Sequence, residues 1–87
     1  MKPHHRAREQ IIYDLLKPLH DNNKAPMHVK NLFKKARMLF RLEDKYLDLL
    51  LRNKLVAKSG EWVTIAWKGE EYMSHYTRIM GYLGERP

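Results

Sequence analysis

Seven cations fall between residues 24 and 45: Lys24, Lys30, Lys34, Lys35, Arg37, Arg41 and Lys45, against only Glu43 and Asp44. Ammonium and guanidinium groups at this density neutralise phosphate, and a guanidinium can also grip a guanine edge through paired hydrogen bonds. Arg41 and Lys45 stand four residues apart, one turn along one face of a helix. A second basic group, Lys2, His4, His5, Arg6 and Arg8, opens the chain, whereas the stretch after Gly60 sets Glu61, Glu70, Glu71 and Glu85 against Lys68, Arg78 and Arg86. The net charge of +7 is therefore uneven. A directional field of this kind attracts nucleic-acid phosphates or anionic membranes. The plainer reading is that the cations only solvate exposed helix faces.

Catalysis has no comparable set of residues. His4, His5, His20, His28 and His75 are scattered without metal-ligand spacing, and Glu43-Asp44 and Glu70-Glu71 are neighbours whose side chains diverge around a helix. There is no cysteine, no glycine-rich phosphate loop and no nucleophile–base set. The sequence predicts no enzyme, no cofactor and no metal. No apolar run approaches the roughly 20 residues that cross a bilayer, and the polar start lacks the apolar core of a secretory signal. An anionic-membrane binder would need a helix exposing apolar residues against a lysine-rich face, and none is visible. A cytoplasmic chain forming one small domain over residues 1–87 is expected.

The elements that must position these cations follow from hydrophobic spacing. Ile11, Ile12, Leu15, Leu16 and Leu19 mark a first helix from near His5, with Pro18 expected to distort or end its last turn and Asp21-Asn22-Asn23 to stop it. Val29, Leu32, Phe33 and Ala36 mark a second, and Lys30, Lys34 and Lys35 fall outside that apolar face. The phase then breaks around Arg37-Met38-Leu39. Leu42, Tyr46, Leu47 and Leu50 form a third stripe out of register with the second, which places Phe40, Arg41, Asp44, Lys45 and Asp48 opposite it. One unbroken helix from Met27 to Asn53 is the competing reading. Asn53 is expected to take the left-handed exit of the third helix. Leu55–Lys58 and Glu61–Ala66 read as strands around a Ser59-Gly60 turn, with a minimal extra strand near Ala25-Pro26-Met27. A last helix runs from Trp67 to about Leu83, carrying Met73, Tyr76, Met80 and Leu83 at heptad spacing, widened by Tyr72 and Ile79. The fold class is α+β, mostly α. The order, three helices, a two-stranded wing and a C-terminal helix, is that of a winged helix-turn-helix.

The chain resembles the archaeal winged-helix DNA-binding proteins of the Sulfolobus "10a" type. The residues that carry the likeness are Glu9-Gln10-Ile11-Ile12-Tyr13-Asp14-Leu15-Leu16, Lys35-Ala36, Lys45-Tyr46-Leu47-Asp48 with Leu50-Leu51, Leu55-Val56, and Lys68-Gly69-Glu70-Glu71-Tyr72. They span roughly Arg8 to Ile79. The family often has Gly where Lys54 stands and Thr where Ala66 stands, and its last helix is often longer, forming an antiparallel coiled coil between two subunits. The resemblance implies a homodimer in an archaeon, or in an archaeal virus or plasmid.

These readings together predict binding to double-stranded DNA, sequence-specific or architectural, by a transcriptional regulator associated with nucleoid, viral or plasmid DNA. The third helix enters the major groove, where Phe40, Arg41 and Lys45 face the bases or phosphates. Lys30, Lys34, Lys35 and Arg37, with Lys58 of the wing, meet the backbone, and Trp62 of the wing either joins them or is packing. The stripe of Tyr72, Met73, Tyr76, Ile79, Met80 and Leu83 is the expected dimer interface, at least in part; the alternative is that it covers its own domain's core. No small-molecule ligand is evident. The alternative is a protein-interaction module of the same fold docking an acidic partner.

Overall fold

The computed structural model describes residues 7–38 and 40–82. Leu83, the N-terminal basic residues Lys2, His4, His5 and Arg6, and the Phe40 side chain lie outside the described residues. The elements are α1 (Arg8–Asp21), β1 (Met27–His28), α2 (Val29–Lys35), a 3₁₀ turn (Phe40–Leu42), α3 (Glu43–Arg52), β2 (Val56–Ser59), β3 (Trp62–Ile65) and α4 (Trp67–Tyr82). The strands form one antiparallel sheet in the order β1-β3-β2.

The helices lie where the apolar spacing places them. Leu15, Leu16, Leu19, Leu32, Phe33, Leu50 and Val63 are fully buried, and Ile12, Tyr13, Met27, Ala36, Tyr46, Leu55 and Val56 join them. Of the two outcomes expected at Pro18, an ending does not occur there: α1 continues three residues beyond it to Asp21, and Asn22 caps it. Proline removes one amide donor at a cost of about 3 kcal/mol in a helix interior. Continuing the helix keeps Leu19 buried, which returns about 2 kcal/mol.

The phase break between α2 and α3 has a specific backbone cause. The Arg37 amide bonds the Lys34 carbonyl at 3.1 Å and the Met38 amide bonds the Phe33 carbonyl at 3.1 Å, while Arg37 takes φ 57°. This is a Schellman ending, normally built on glycine. The end of α3 repeats it: the Lys54 amide reaches Leu51 at 3.0 Å, the Leu55 amide reaches Leu50 at 2.9 Å, and Lys54 takes φ 60°. Here the sequence expectation needs correcting. Asn53 keeps φ −91° and its side-chain amide donates to the Leu49 carbonyl, so the left-handed residue is Lys54. A Cβ in that conformation costs about 1 kcal/mol or more. Lys54→Gly is therefore expected to stabilise the fold by about 0.5–1 kcal/mol, after the added entropy of the unfolded chain is subtracted. Urea denaturation checks this, and a lowered midpoint would contradict it.

The wing is short and tied down. Ser59 pairs with Trp62, so the two-residue loop is Gly60-Glu61, one position later than the expected Ser59-Gly60. Gly60 fills the first loop position at φ 60°, which a two-residue hairpin of this kind demands. The Glu61 carbonyl accepts the Val29 amide at 2.9 Å, fastening the loop to the start of α2.

Helix α4 closes the other side against α1. Tyr76 stacks on Tyr13 with ring centroids 4.8 Å apart, and its hydroxyl donates to the Gln10 side-chain carbonyl. The Tyr72 hydroxyl donates to the Glu9 carbonyl at 2.8 Å. Burial, then the nearby Glu9 carboxylate, pushes the Tyr72 phenol up to about 12, so it remains a neutral donor. Met73 and Tyr76 are thus buried in this chain's own core. The expected subunit interface needs correcting there, because two of its central residues are already covered within the protomer.

Candidate nucleic-acid interface

The outward side of α2 is uniformly cationic. Lys30, Lys34 and Lys35 are exposed, while Leu32 and Phe33 of the same seven-residue helix are fully buried. His28 caps the helix by accepting the Lys30 amide on Nδ1 at 3.2 Å. Lys34 and Lys35 occupy the last turn, where cations are favoured by the helix dipole. Arg37 is exposed at the left-handed turn and borders a cleft that also includes Asp14 and Asp21. Lys17 and Lys35 line the same cleft, and Asp21 is paired with Lys17 at 3.1 Å.

The side of α3 away from Tyr46 and Leu50 is mixed in charge. Arg41, which lies in the 3₁₀ turn, and Asp44, Lys45, Asp48 and Arg52 are all exposed. They recur at three- and four-residue steps, so they share one stripe. The Lys45 ammonium sits 5.7 Å from the Tyr46 ring centroid. Arg52 was not among the residues expected from the sequence. It continues the spacing from Lys45 through Asp48, which is the signal that could have found it. Its guanidinium is engaged by Asp48 in an exposed ion pair. Such an exposed pair contributes little to stability and can open when a ligand competes.

The remaining predicted positions divide. Lys58 is exposed on β2, and Trp62 at the start of β3 is 52% exposed, so it is not a core residue. On α4, Tyr72 and Met80 are half-buried, whereas Ile79 and Tyr82 are exposed. Tyr82 is a further residue that the heptad spacing did not single out. Among the described residues, no group of three or more His, Asp or Glu side chains is arranged to hold a metal ion. Among the same residues, no helix is long and apolar enough to cross a membrane.

This geometry is a basic two-helix unit with a stubby hairpin beside it, and residues 5–82 match the family model of the winged helix-turn-helix. The chain belongs to the winged helix-turn-helix family. No curated protein matches it. Winged helix-turn-helix domains are typically non-catalytic and bind DNA, so DNA is the partner that membership implies. In the winged helix-turn-helix seen here, α2 and α3 are the paired helices and β2–β3 is the wing.

Proposed function

We propose that this protein binds duplex DNA with α3 in the major groove and with α2 and the wing on flanking phosphates, as a homodimeric transcriptional regulator. The observation that carries the reading is the division of labour between the two helices. The exposed side of α2 presents Lys30, Lys34 and Lys35 with no acid among its residues. Phosphate contacts from such a face give affinity and orientation. The stripe on α3 interleaves Arg41, Lys45 and Arg52 with Asp44 and Asp48. Acids cost affinity for phosphate but accept hydrogen bonds from the cytosine amino group. That pattern favours a reader of sequence over a purely architectural grip. The likeness to the Sulfolobus "10a" type supports an archaeal cell, virus or plasmid as its setting.

The test is a mobility shift on duplex DNA across a salt series. Binding is expected at low salt and should weaken steeply as salt rises, because neutralising phosphates releases counterions. No shift with any duplex at low salt would instead favour a module that docks an acidic protein.

Dimerisation rests on the part of α4 that its own core leaves uncovered. Ile79 is 51% exposed and Tyr82 81% exposed, with the half-buried Tyr72 two turns before Ile79 on the same face. A small domain gains stability by covering such a strip with a second copy. Sedimentation equilibrium is expected to give a dimer that Ile79→Lys converts to monomer. A wild-type monomer at high micromolar concentration would remove this part of the proposal.

A further inference from the structure

The face of the sheet turned away from the core carries an exposed indole, Trp62. Trp62 points away from the core, since its neighbour Val63 is fully buried and side chains alternate along a strand. Its partners across the strands are His28 of β1 and Ser59 of β2. The His28 ring meets the indole edge-on, with centroids 5.4 Å apart and planes at 81°. His28 is itself held by its bond to the Lys30 amide, so the indole leans on a fixed support. The next pair along the same face is Ala57 and Thr64, which are too small to cover the ring.

An indole that is oriented but half uncovered suits a flat ring as its ligand. Lys30, at the start of α2, follows His28 by two residues and is exposed, whereas Lys58 pairs with Val63 and so belongs to the other face of the sheet. Glu61, in the hairpin loop, is the opposing acid. Nucleobases in a duplex have their faces covered by stacking on one another, whereas an unpaired base offers its face freely. We infer that Trp62, supported by His28, is a stacking seat for one unpaired base of single-stranded DNA, with Lys30 on an adjoining phosphate. The choice of DNA rests on the proposed function; the seat itself is separate from the α3 surface.

The experiment measures binding of a fluorescein-labelled thymidine 12-mer by anisotropy, beside a blunt duplex, for the full chain and its variants. Trp62→Ala should weaken binding of the 12-mer about tenfold, within the range for loss of one aromatic–base stack. Trp62→Tyr should restore it to within about threefold, which a purely steric or folding role would not predict. Trp62→Ala should weaken 12-mer binding by more than it weakens blunt-duplex binding, and Arg41→Ala with Lys45→Ala should leave 12-mer binding in place. In a Trp67→Phe background Trp62 is the sole tryptophan, and its emission should be quenched by the 12-mer. Unchanged 12-mer affinity in Trp62→Ala overturns the seat, as does an equal loss on blunt duplex. Tighter binding of a uridine 12-mer overturns its assignment to DNA.

Discussion

Gly69→Ala is expected to destabilise the protein by about 1–2 kcal/mol net, although alanine is the better helix former. A Cβ at Gly69 would sit 2.7 Å from Ile65 Cγ1 and closer still to the Leu55 carbonyl oxygen. The isoleucine tip can rotate, but the carbonyl is backbone. It also accepts the Ala66 amide at 2.9 Å, so moving it weakens the link that brings β3 into α4. Overpacking of this kind typically costs about 1–3 kcal/mol, and relief would require α4 to back away from Leu55 and Ile65. The alanine preference returns at most about 1 kcal/mol. Gly81 is the internal control, because a Cβ there meets nothing within 4 Å. Gly81→Ala should stabilise by up to about 1 kcal/mol. Urea denaturation should move the two midpoints in opposite directions; equal midpoints would mean that α4 does not approach the sheet this closely.

The second large effect is on binding. Removing Arg41 and Lys45 together should weaken duplex binding by about 30-fold or more, since each good contact to a base edge is worth roughly 1–3 kcal/mol. Both side chains are exposed, so the loss should come without a comparable loss of stability. Arg78, exposed on α4, carries the same charge as Arg41 on an element outside the paired helices. Its replacement by alanine should change affinity less than about threefold, a purely long-range effect screened by salt.

Much of this arrangement is legible in the order of residues. The shift from the Val29–Leu32–Phe33 stripe to the Tyr46–Leu50 stripe announces two helices without any glycine or proline to mark the turn. Periodicity cannot say which residue absorbs the turn. Arg37 and Lys54 adopt left-handed backbone because Met38 and Leu55 must satisfy carbonyls one turn back, and no propensity scale nominates Arg or Lys for that role. The Lys68-Gly69 pair is visible as a motif, but its cause, a close approach to Leu55, joins residues far apart in the chain. Heptad spacing on α4 identifies an apolar stripe and is silent on whether its own core or a second subunit covers it. Met73 and Tyr76 went to the core, while Ile79 stayed outside. Trp62 was equally ambiguous until the register paired it with His28 and Ser59.

The central claim is that the outward side of α3, supported by the lysines of α2, holds the duplex. Anisotropy of one labelled duplex, measured at several salt concentrations for the wild type, the Arg41→Ala/Lys45→Ala protein and Arg78→Ala, tests it most directly. The account predicts that Arg78→Ala follows the wild type closely while the double variant binds about 30-fold or more weakly throughout. Two variants that weaken in step, or a double variant indistinguishable from the wild type, would contradict it.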